Sequence, residues 1–286
     1  MRITRRNCGA VLGAIVLLMS GARCSADRVI LGSNTDTLNA GVLRREVVSA
    51  EGSMVECWVA RSGAPKRQGD KESGRQGDRE WAPEAIVVFF PGQRARAEPW
   101  TQMVADAWGV RAVEVWGVNF PGYGGSTAGG LKEVTPAALA VVDAARVRWP
   151  GKKVYVQGAS FGAAVSLAVG ARRELAGMIL QNPPPLRELL MGRYGWWNLW
   201  MLAWPVSKGL PEELDALANA RAAKAPAVFI VSSGDGVVPI SYQRRVVETY
   251  AGQKRIVENA GAGHSDGLSA EAVKGVAAER EWLWGK

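Results

Sequence analysis

The sequence predicts an α/β protein in which a mostly parallel central sheet is covered by helices on both faces. From residue 84 to the C-terminus, short apolar runs alternate with longer helical patterns, and this alternation is typical of βαβ units. The run Ala85 to Phe90 is continuously apolar, which indicates a strand buried on both faces of a parallel sheet. A length of 286 residues with 48% hydrophobic residues suits one large α/β domain or two small ones.

Charge and composition exclude several classes of function. The formal net charge is +8, but four arginines precede the first acid, and without them the balance is about +4, which is a weak electrostatic footprint. No basic stripe with interleaved aromatic residues is present, so nucleic-acid binding is not expected. One histidine and three cysteines without metal-ligand spacing disfavour a transition-metal site. No glycine pattern indicates a nucleotide cofactor, so we expect neither a metal nor a cofactor.

Residues 1–26 have the layout of a secretory signal peptide. Met1 to Arg6 is short and basic, and Ala10 to Met19 is apolar but shorter than the about 20 residues that span a bilayer. Small residues follow, as in a signal-peptidase site. We therefore predict an exported domain, periplasmic or extracellular, that covers residues 27–286. Two alternatives remain open, a lipidated Cys24 and an uncleaved N-terminal segment that acts as a membrane anchor.

The exported domain is predicted to begin with an antiparallel β-hairpin. Val42 to Ser49 and Met54 to Arg61 have strand character and flank a turn that contains Gly52. Residues 62–83 then become polar, and the tetrapeptide Arg-Gln-Gly-Asp occurs twice in them. A segment so rich in charge and glycine cannot bury a face, which predicts a mobile surface loop at residues 62–83.

The remaining elements follow one another in the order expected of a parallel sheet covered on both faces. Strands are predicted at residues 85–90, 112–118, 153–157, 177–181, 227–232 and 255–258. Helices are predicted at residues 99–108, 135–148, 161–173, 241–250 and 270–284. The start of the second helix is placed at Thr135 because Pro136 favours the first turn of a helix.

Ser160 is the candidate nucleophile. It lies in Gly158-Ala159-Ser160-Phe161-Gly162, a G-x-S-x-G motif that follows an apolar strand and opens an alanine-rich helix, as this motif requires. Glycines on both sides suit a strained turn that leaves no room for bulky side chains. The N-terminus of the following helix would favour developing negative charge. The alternative is a tight strand-to-helix turn in which the serine only caps the helix.

A serine hydroxyl needs an adjacent base, and His264 is the only histidine of the chain. It lies in the glycine-rich segment Gly261 to Ser265, between the last predicted strand and the last helix. Glycines in this loop let the backbone pass close to another group. His264 is therefore the candidate general base.

The base needs a carboxylate that orients it, and Asp235 is the candidate. It follows the strand predicted at 227–232, and the ends of parallel strands are where sites form. The chain order Ser160, Asp235, His264 is the order found in enzymes with this architecture. Asp266 is the fallback acid, although its closeness in sequence to His264 makes it a poor geometric choice.

Two backbone N–H groups are candidates for an oxyanion hole, which would stabilise a tetrahedral intermediate. Pro91-Gly92-Gln93 follows the first buried strand, and its glycine allows close approach of the Gln93 N–H to a substrate oxygen. The second candidate donor is the N–H of Phe161, directly after the nucleophile.

Four segments together resemble the α/β-hydrolase superfamily, and they are most similar to its Bem46-like and ABHD-type serine hydrolases. The segments are Phe89 to Gln93 for the oxyanion loop, Asn119 to Ser126 for the R-G-Y-G-x-S loop, the turn around Ser160, and Asp235 to Pro239 with Gly263-His264. Two residues depart from the family pattern. Pro91 replaces a histidine of the oxyanion loop, and Pro121 replaces the arginine of the R-G-Y-G loop.

The resemblance also implies that residues 183–225 form a small cap over the active site. This cap insertion is rich in tryptophan and contains Tyr194, Trp196, Trp197, Trp200 and Trp204. Three interpretations remain open: these rings pack onto the domain core, they line a pocket for an acyl chain, or they rest on a membrane surface, where tryptophan is enriched.

The expected function is that of an exported serine hydrolase that cleaves an ester or thioester bond through an acyl-enzyme on Ser160. Its expected partner is a small-molecule or lipid-like ester, with peripheral membrane contact through the cap as an open alternative. Lipases and peptidases use the same machinery. A catalytically silent α/β-hydrolase scaffold that acts as a binding protein is the alternative from a different class. The pattern fixes neither the acyl length nor the oligomeric state.

Overall fold

The computed structural model describes residues 26–36, 38–41, 43–62, 81–194 and 203–286. Residues 1–25 of the predicted signal peptide and residues 63–80 of the predicted mobile loop lie outside the described residues. Within the described ranges, no helix combines the length and the apolar character needed to cross a bilayer.

An eight-stranded sheet forms the centre of the molecule. Its strands are β1 (Arg44–Ala50), β2 (Ser53–Arg61), β3 (Ala85–Phe90), β4 (Val113–Val118), β5 (Lys153–Ala159), β6 (Gly177–Gln181), β7 (Ala227–Ser232) and β8 (Lys254–Asn259). Their spatial order is β1-β2-β4-β3-β5-β6-β7-β8. The hairpin β1–β2 is antiparallel, β2 pairs antiparallel with β4, and all other pairs are parallel. The predicted hairpin and mostly parallel sheet are thus confirmed.

Helices cover both faces of this sheet. They are α1 (Glu98–Ala107), α2 (Leu131–Arg148), α3 (Phe161–Gly170), α4 (Leu186–Leu189), α5 (Ala203–Gly209), α6 (Ala216–Ala222), α7 (Ile240–Thr249) and α8 (Ala270–Trp284). Helices α2, α3, α6 and α7 bury apolar side chains on one face of the sheet. Helices α1 and α8 do so on the other face, so the sheet separates two apolar cores.

The central strands are buried along their whole length. Every residue of β3, β4 and β7 is buried, as the continuous apolar runs predict for strands covered on both faces. The charged residue of these three strands is Glu114 in β4, whose fully buried Oε1 accepts hydrogen bonds from the indole N–H groups of Trp116 at 2.9 Å and Trp149 at 2.7 Å. The guanidinium groups of Arg44 and Arg61 each lie 3.5 Å from the other carboxylate oxygen, Oε2, so the buried charge is also paired with opposite charge.

Helix α2 begins at Leu131, and the prediction of a start at Thr135 is wrong. Glu133 in its first turn accepts a hydrogen bond from the N–H of Gly130 at 2.8 Å, as in a capping box. Asp27, which is remote in sequence, accepts from the N–H of Leu131 at 2.7 Å. These two carboxylates stabilise a helix start four residues upstream of Thr135. Pro136 therefore lies inside the helix and does not mark its first turn.

Residues 27–34, which we call the N-terminal strap, lie against the domain core. The strap begins with the short π-helical turn Asp27–Leu31. Ile30 and Leu31 are buried in the same apolar core as helix α2. Asn34 forms an isolated parallel bridge with Tyr123. The strap is thus part of the folded domain.

The predicted cap insertion is described only in part. Helix α4 and the π-helical turn Leu190–Tyr194 follow β6, and helices α5 and α6 precede β7. Trp196, Trp197 and Trp200 lie outside the described residues. Trp204 has 55% of its surface exposed, so it does not pack onto the domain core. Arg193 Nη2 donates to the carbonyl of Gly236 at 2.6 Å, which ties this segment to the turn after β7.

Candidate active site

Ser160 occupies a strained turn between β5 and α3. Its backbone has φ 51° and ψ −118°, a conformation that costs free energy for any residue with a Cβ. The N–H of Ser160 donates to the carbonyl of Gln181 at 2.8 Å, which holds the turn at the end of the neighbouring strand β6. Strain at a single serine between a strand and a helix is what the G-x-S-x-G pattern predicts.

Glycine is required on both sides of Ser160 by close backbone contacts. A Cβ at Gly158 would overlap the carbonyl of Gly162, and a Cβ at Gly162 would overlap the carbonyl of Phe90. The strand β5, the turn and the first residues of α3 therefore pack backbone to backbone. This packing raises the serine at the carboxyl edge of the sheet.

The imidazole of His264 lies between Ser160 and Asp235. Its Nε2 is 2.9 Å from Ser160 Oγ, and its Nδ1 is 2.6 Å from Asp235 Oδ2. Ser160 and His264 are 104 residues apart in the chain, and folding brings them together because β5, β7 and β8 end at the same edge of the sheet. The three side chains thus form one continuous chain of polar contacts, in the order that nucleophile activation requires.

Asp235 is held rigidly in the turn after β7. Its side chain is completely buried. Oδ1 accepts from the N–H groups of Val237 and Val238, both at 2.8 Å. Oδ2 contacts His264 and also accepts from Gln243 Nε2 at 3.1 Å. A buried carboxylate with this many donors is fixed in one orientation.

Gln243 is a contributor to the site that the sequence patterns did not single out. It is fully buried in helix α7. Besides its contact to Asp235, Nε2 donates to the carbonyl of Val238 at 2.7 Å, and Oε1 accepts from the N–H of Ser232 at 3.1 Å. A sequence signal did exist, because Gln243 occupies a core-facing helical position with Val246 and Val247. A glutamine there predicts a buried polar partner nearby.

Asp266, the fallback acid, has a different role in this structure. Its Oδ2 accepts from the N–H of Gly263 at 2.7 Å. It therefore stabilises the turn that carries His264, whereas the carboxylate against the imidazole is that of Asp235.

The Pro91-Gly92-Gln93 segment lies directly against the serine turn. A Cβ built on Gly92 would be 3.7 Å from the carbonyl of Ala159 and 3.8 Å from Cβ of Ser160. The Gln93 side chain turns away and donates to the carbonyl of Val29 at 2.7 Å. No acceptor among the described residues engages the backbone N–H of Gln93 or of Phe161. Both predicted donors are thus unengaged within the described part of the chain.

The Asn119 to Ser126 loop is ordered by Glu56 although it lacks the family arginine. Glu56 Oε2 accepts from the N–H of Gly125 at 2.9 Å and from Asn119 Nδ2 at 2.8 Å, and Oε1 contacts Arg45 Nε at 2.6 Å. Burial disfavours the charged carboxylate, but these hydrogen bonds outweigh burial and hold the pKa of Glu56 below its usual value. The ring of Tyr123 in this loop is buried, and its hydroxyl accepts from the N–H of Arg94 at 2.8 Å, next to the Pro91-Gly92-Gln93 segment.

The site contains the groups for acyl transfer through a serine. Within the described part of the chain, no group of three or more His, Cys, Asp or Glu side chains is placed to hold a metal ion.

Comparison with known sequences gives a family match that covers this site in part. A sequence model of the family described as serine aminopeptidase, S33, matches residues 82–214. Two proteins of Mycobacterium tuberculosis, the uncharacterized proteins Rv2307c and MT2364, are each 29% identical over 126 residues. Each match covers 44% of this chain, and it spans 40% of the relative's length.

Solved structures of esterases share the fold over almost the whole chain. Acetyl xylan esterase from Paenibacillus sp. R4 matches with a TM-score of 0.62 and 14% identity, and covers 94% of this chain and 93% of its own. Est1E from Butyrivibrio proteoclasticus, with ferulic acid bound, has a TM-score of 0.61 and 14% identity over 84% of this chain and 98% of its own. The Pyrococcus furiosus esterase Pf2001 has a TM-score of 0.58 and 14% identity, and the match covers 88% of this chain and 95% of the esterase.

The solved structures share the overall fold of this chain over 84–94% of its length. At 14% identity the solved structures show similarity of fold. The family model shows similarity of sequence over residues 82–214, from the first parallel strand into the predicted cap. Together they show that the chain has the α/β-hydrolase fold and that residues 82–214 are similar to the family described as serine aminopeptidase, S33.

Proposed function

We propose that this chain is an exported serine hydrolase that cleaves an ester or thioester bond through an acyl-enzyme on Ser160. The observation that carries the proposal is the continuous contact from Ser160 Oγ to His264 Nε2 at 2.9 Å and from His264 Nδ1 to Asp235 Oδ2 at 2.6 Å. A hydroxyl activated by an oriented imidazole is the arrangement that acyl transfer requires.

In the acylation step, Ser160 Oγ forms a bond to the carbonyl carbon of the substrate while its proton passes to His264 Nε2. The carbonyl oxygen becomes an oxyanion, which accepts hydrogen bonds from the N–H groups of Gln93 and Phe161. The buried carboxylate of Asp235 stabilises the imidazolium that forms and keeps its ring in place. The tetrahedral intermediate then collapses, the bond to the leaving group breaks, and His264 gives its proton to the departing alcohol or thiol.

Deacylation repeats these steps with water as the nucleophile. Water attacks the acyl carbon, its proton passes to His264, and the oxyanion again lies against the two N–H groups. Collapse releases the carboxylic acid and returns the proton to Ser160 Oγ. The same groups therefore serve both halves of the reaction, and the proton count is unchanged after one turnover.

The similar solved structures support the type of bond that we propose is cleaved. The N-terminal sequence supports the proposed location of the protein. Three structural neighbours are named as esterases, which favours an oxygen ester, whereas the family description names an aminopeptidase. Residues 1–26 have a basic start and an apolar run of signal-peptide type, which supports export. We keep the periplasm or the extracellular space as the proposed location.

Covalent labelling by a fluorophosphonate tests the nucleophile. The wild-type protein should be labelled on Ser160, Ser160→Ala should lose the label, and His264→Ala should be labelled far more slowly. Ser166→Ala is the matched control, because this buried serine in α3 donates only to the carbonyl of Gly162. Labelling that persists in Ser160→Ala would contradict the assignment, and an intact wild-type protein that takes no label would favour a binding scaffold.

A substrate panel separates the remaining alternatives. p-Nitrophenyl esters of increasing acyl length, a thioester series and aminoacyl p-nitroanilides present the same acyl-transfer chemistry with different leaving groups. The proposal expects ester or thioester turnover that depends on Ser160. Turnover confined to the anilides would assign the chain to the peptidases instead.

A further inference from the structure

We infer that the N-terminal strap, residues 27–34, and the Tyr123 hydroxyl position the oxyanion donor Gln93, and this inference rests on the proposed function. The strap and the Gln93 segment are about 60 residues apart in the chain, yet a set of hydrogen bonds joins them directly. One of these bonds is made by the side chain of Gln93, and the other by the backbone carbonyl of Arg94, the residue that follows it.

Arg94 has a backbone conformation that needs external support. It has φ 59°, in the left-handed region that a non-glycine residue adopts at a cost. It is the third residue of a turn in which the N–H of Ala95 donates to the carbonyl of Gly92 at 3.1 Å. This turn fixes the direction of the Gln93 peptide, so whatever holds Arg94 also orients the Gln93 N–H.

Both backbone polar groups of Arg94 are bound by side chains from elsewhere. Its N–H donates to the hydroxyl of Tyr123 at 2.8 Å, and its carbonyl accepts from Asn34 Nδ2 at 2.8 Å. The Tyr123 hydroxyl in turn donates to the carbonyl of Leu31 in the strap. The strained residue is therefore fastened to the strap on both sides.

The Tyr123 ring is itself fixed by packing. It is fully buried and lies edge-to-face on Phe120, with ring centroids 5.9 Å apart. Phe120 is edge-to-face with Phe161 at 5.3 Å. The same aromatic cluster thus supports the residues that carry both oxyanion donors, Gln93 and Phe161.

The strap is anchored at each end and in the middle. At its start, Asp27 accepts from the N–H of Leu131 at the N-terminus of helix α2. At its end, the carbonyl of Asn34 accepts from the N–H of Gly124 at 2.9 Å. Between them, the carbonyl of Val29 accepts from the Gln93 side chain at 2.7 Å. With both ends fixed, the strap is a rigid support for the Gln93 turn.

An oxyanion donor acts through its preorganised direction, so a loosened Gln93 peptide should affect the transition state more than substrate binding. Tyr123→Phe removes only the hydroxyl that links Arg94 to the strap. We expect kcat to fall by about 10- to 100-fold, less than the 10²–10³ that follows outright removal of a donor. KM should change little, and a trifluoromethyl ketone that mimics the tetrahedral intermediate should bind more weakly by a similar factor.

Tyr250→Phe is the matched control. Tyr250 is also buried, and its hydroxyl also donates to a backbone carbonyl, that of Ala225, on a segment remote from the serine turn. If the loss of a hydrogen bond from a buried hydroxyl affects only stability, both variants should have lower melting temperatures. Both should also keep the wild-type kcat when it is measured below those temperatures. The positioning role predicts the loss of kcat in Tyr123→Phe alone.

A second pair tests the same point on the surface, in case Tyr123→Phe does not fold. Asn34→Asp replaces the donor to the Arg94 carbonyl with an acceptor of the same shape, and Asn39→Asp makes the same exchange at a residue that only accepts from the N–H of Gly41. We expect a lower kcat in Asn34→Asp only.

Wild-type kcat in both Tyr123→Phe and Asn34→Asp, with Ser160-dependent activity intact, would overturn the strap inference and leave the proposed function standing. A wild-type protein without Ser160-dependent turnover would overturn both.

Discussion

At the scale of single residues, Asp235 is oriented by its surroundings on every side. Two backbone N–H groups bind one carboxylate oxygen, and Gln243 shares the other with His264. Hydrogen bonds to charged groups contribute about 1.5–3 kcal/mol each. The amide of Gln243 also links β7 to the start of helix α7 through Ser232 and Val238. It therefore holds both the carboxylate and the turn that carries it.

Replacing Gln243 with leucine should impair catalysis and stability together. Gln243→Leu keeps the volume but removes the donor to Asp235 and leaves the N–H of Ser232 without its partner. Because 1.4 kcal/mol corresponds to a factor of ten, we expect kcat for a p-nitrophenyl ester to fall by about tenfold or more. The free energy of unfolding should fall by about 1–3 kcal/mol, measured by denaturant titration.

Gln102→Leu is the control for this substitution. Gln102 donates to the carboxylate of Asp106 at 2.9 Å on the solvent-facing side of helix α1, so the same exchange there removes a solvated contact. Its kcat and stability should stay close to wild type. Equal kcat in the Gln243 and Gln102 variants would show that the two backbone N–H groups are sufficient to orient Asp235.

At the scale of elements, helix α2 contains a proline that its hydrogen-bond ladder does not accommodate. Pro136 is the sixth residue of the helix, so its missing N–H leaves the carbonyl of Lys132 without the usual partner. The helix forms nevertheless, because Asp27 and Glu133 stabilise its first turn and Val134, Val141 and Val142 are buried in the core. Packing and capping override the local preference.

Pro136→Ala should therefore stabilise the protein. A proline in a helix interior costs about 3 kcal/mol relative to alanine. The substitution also makes the unfolded chain more flexible, which lowers the stability of the variant by about 0.4–1 kcal/mol. From the difference of these two effects we expect a gain of about 2 kcal/mol in the free energy of unfolding. Thermal and denaturant unfolding measure it, with Leu139→Ala in the same helix as a control that should destabilise. An unchanged or lower stability of Pro136→Ala would mean that the ring contributes packing that outweighs the lost hydrogen bond.

The elements that sequence patterns locate well are those with a local cause. The strand Ala85–Phe90 and the helix Ala270–Trp284 were predicted with the bounds that the structure shows, because continuous apolar burial and flanking turn residues are local signals. The start of α2 was missed because its cap, Asp27, lies more than 100 residues away. The strap was missed for the same reason, since its partners are distant in sequence. The partners of Gln243 are near in sequence, and it was missed because the polar residue on the buried face of its helix was not connected with the preceding turn.

At the scale of the whole molecule, Glu56 joins segments that are far apart in the chain. Its carboxylate binds the hairpin through Arg45, the end of β4 through Asn119, and the following loop through Gly125. The guanidinium of Arg96 lies 3.7 Å away and also binds the carbonyl of Asp36 at 2.7 Å. Protonation of Glu56 would weaken several of these connections at once.

The stability of the protein should consequently fall in acid through Glu56. The pKa of Glu56 in the folded state lies below its usual value of 4.5, so its contribution is complete above pH 4.5 and is lost as the pH falls through the folded-state pKa. Glu56→Gln should be less stable than wild type at neutral pH, and the difference should shrink as the pH falls below 4.5. Urea unfolding at several pH values measures this, and Glu51→Gln at the exposed hairpin turn is the control. A difference that is constant with pH would contradict this role.

The order of the strands also sets the direction in which a product departs. Asp235 and His264 follow β7 and β8, whereas Gln93 follows β3 on the other flank of β5. Under the proposed mechanism the outgoing alcohol collects its proton from His264, so it exits towards β7 and β8, where Val237 has 48% of its surface exposed. Preference for the alcohol portion can therefore be re-engineered on that flank, without disturbing the backbone packing that shapes the nucleophile.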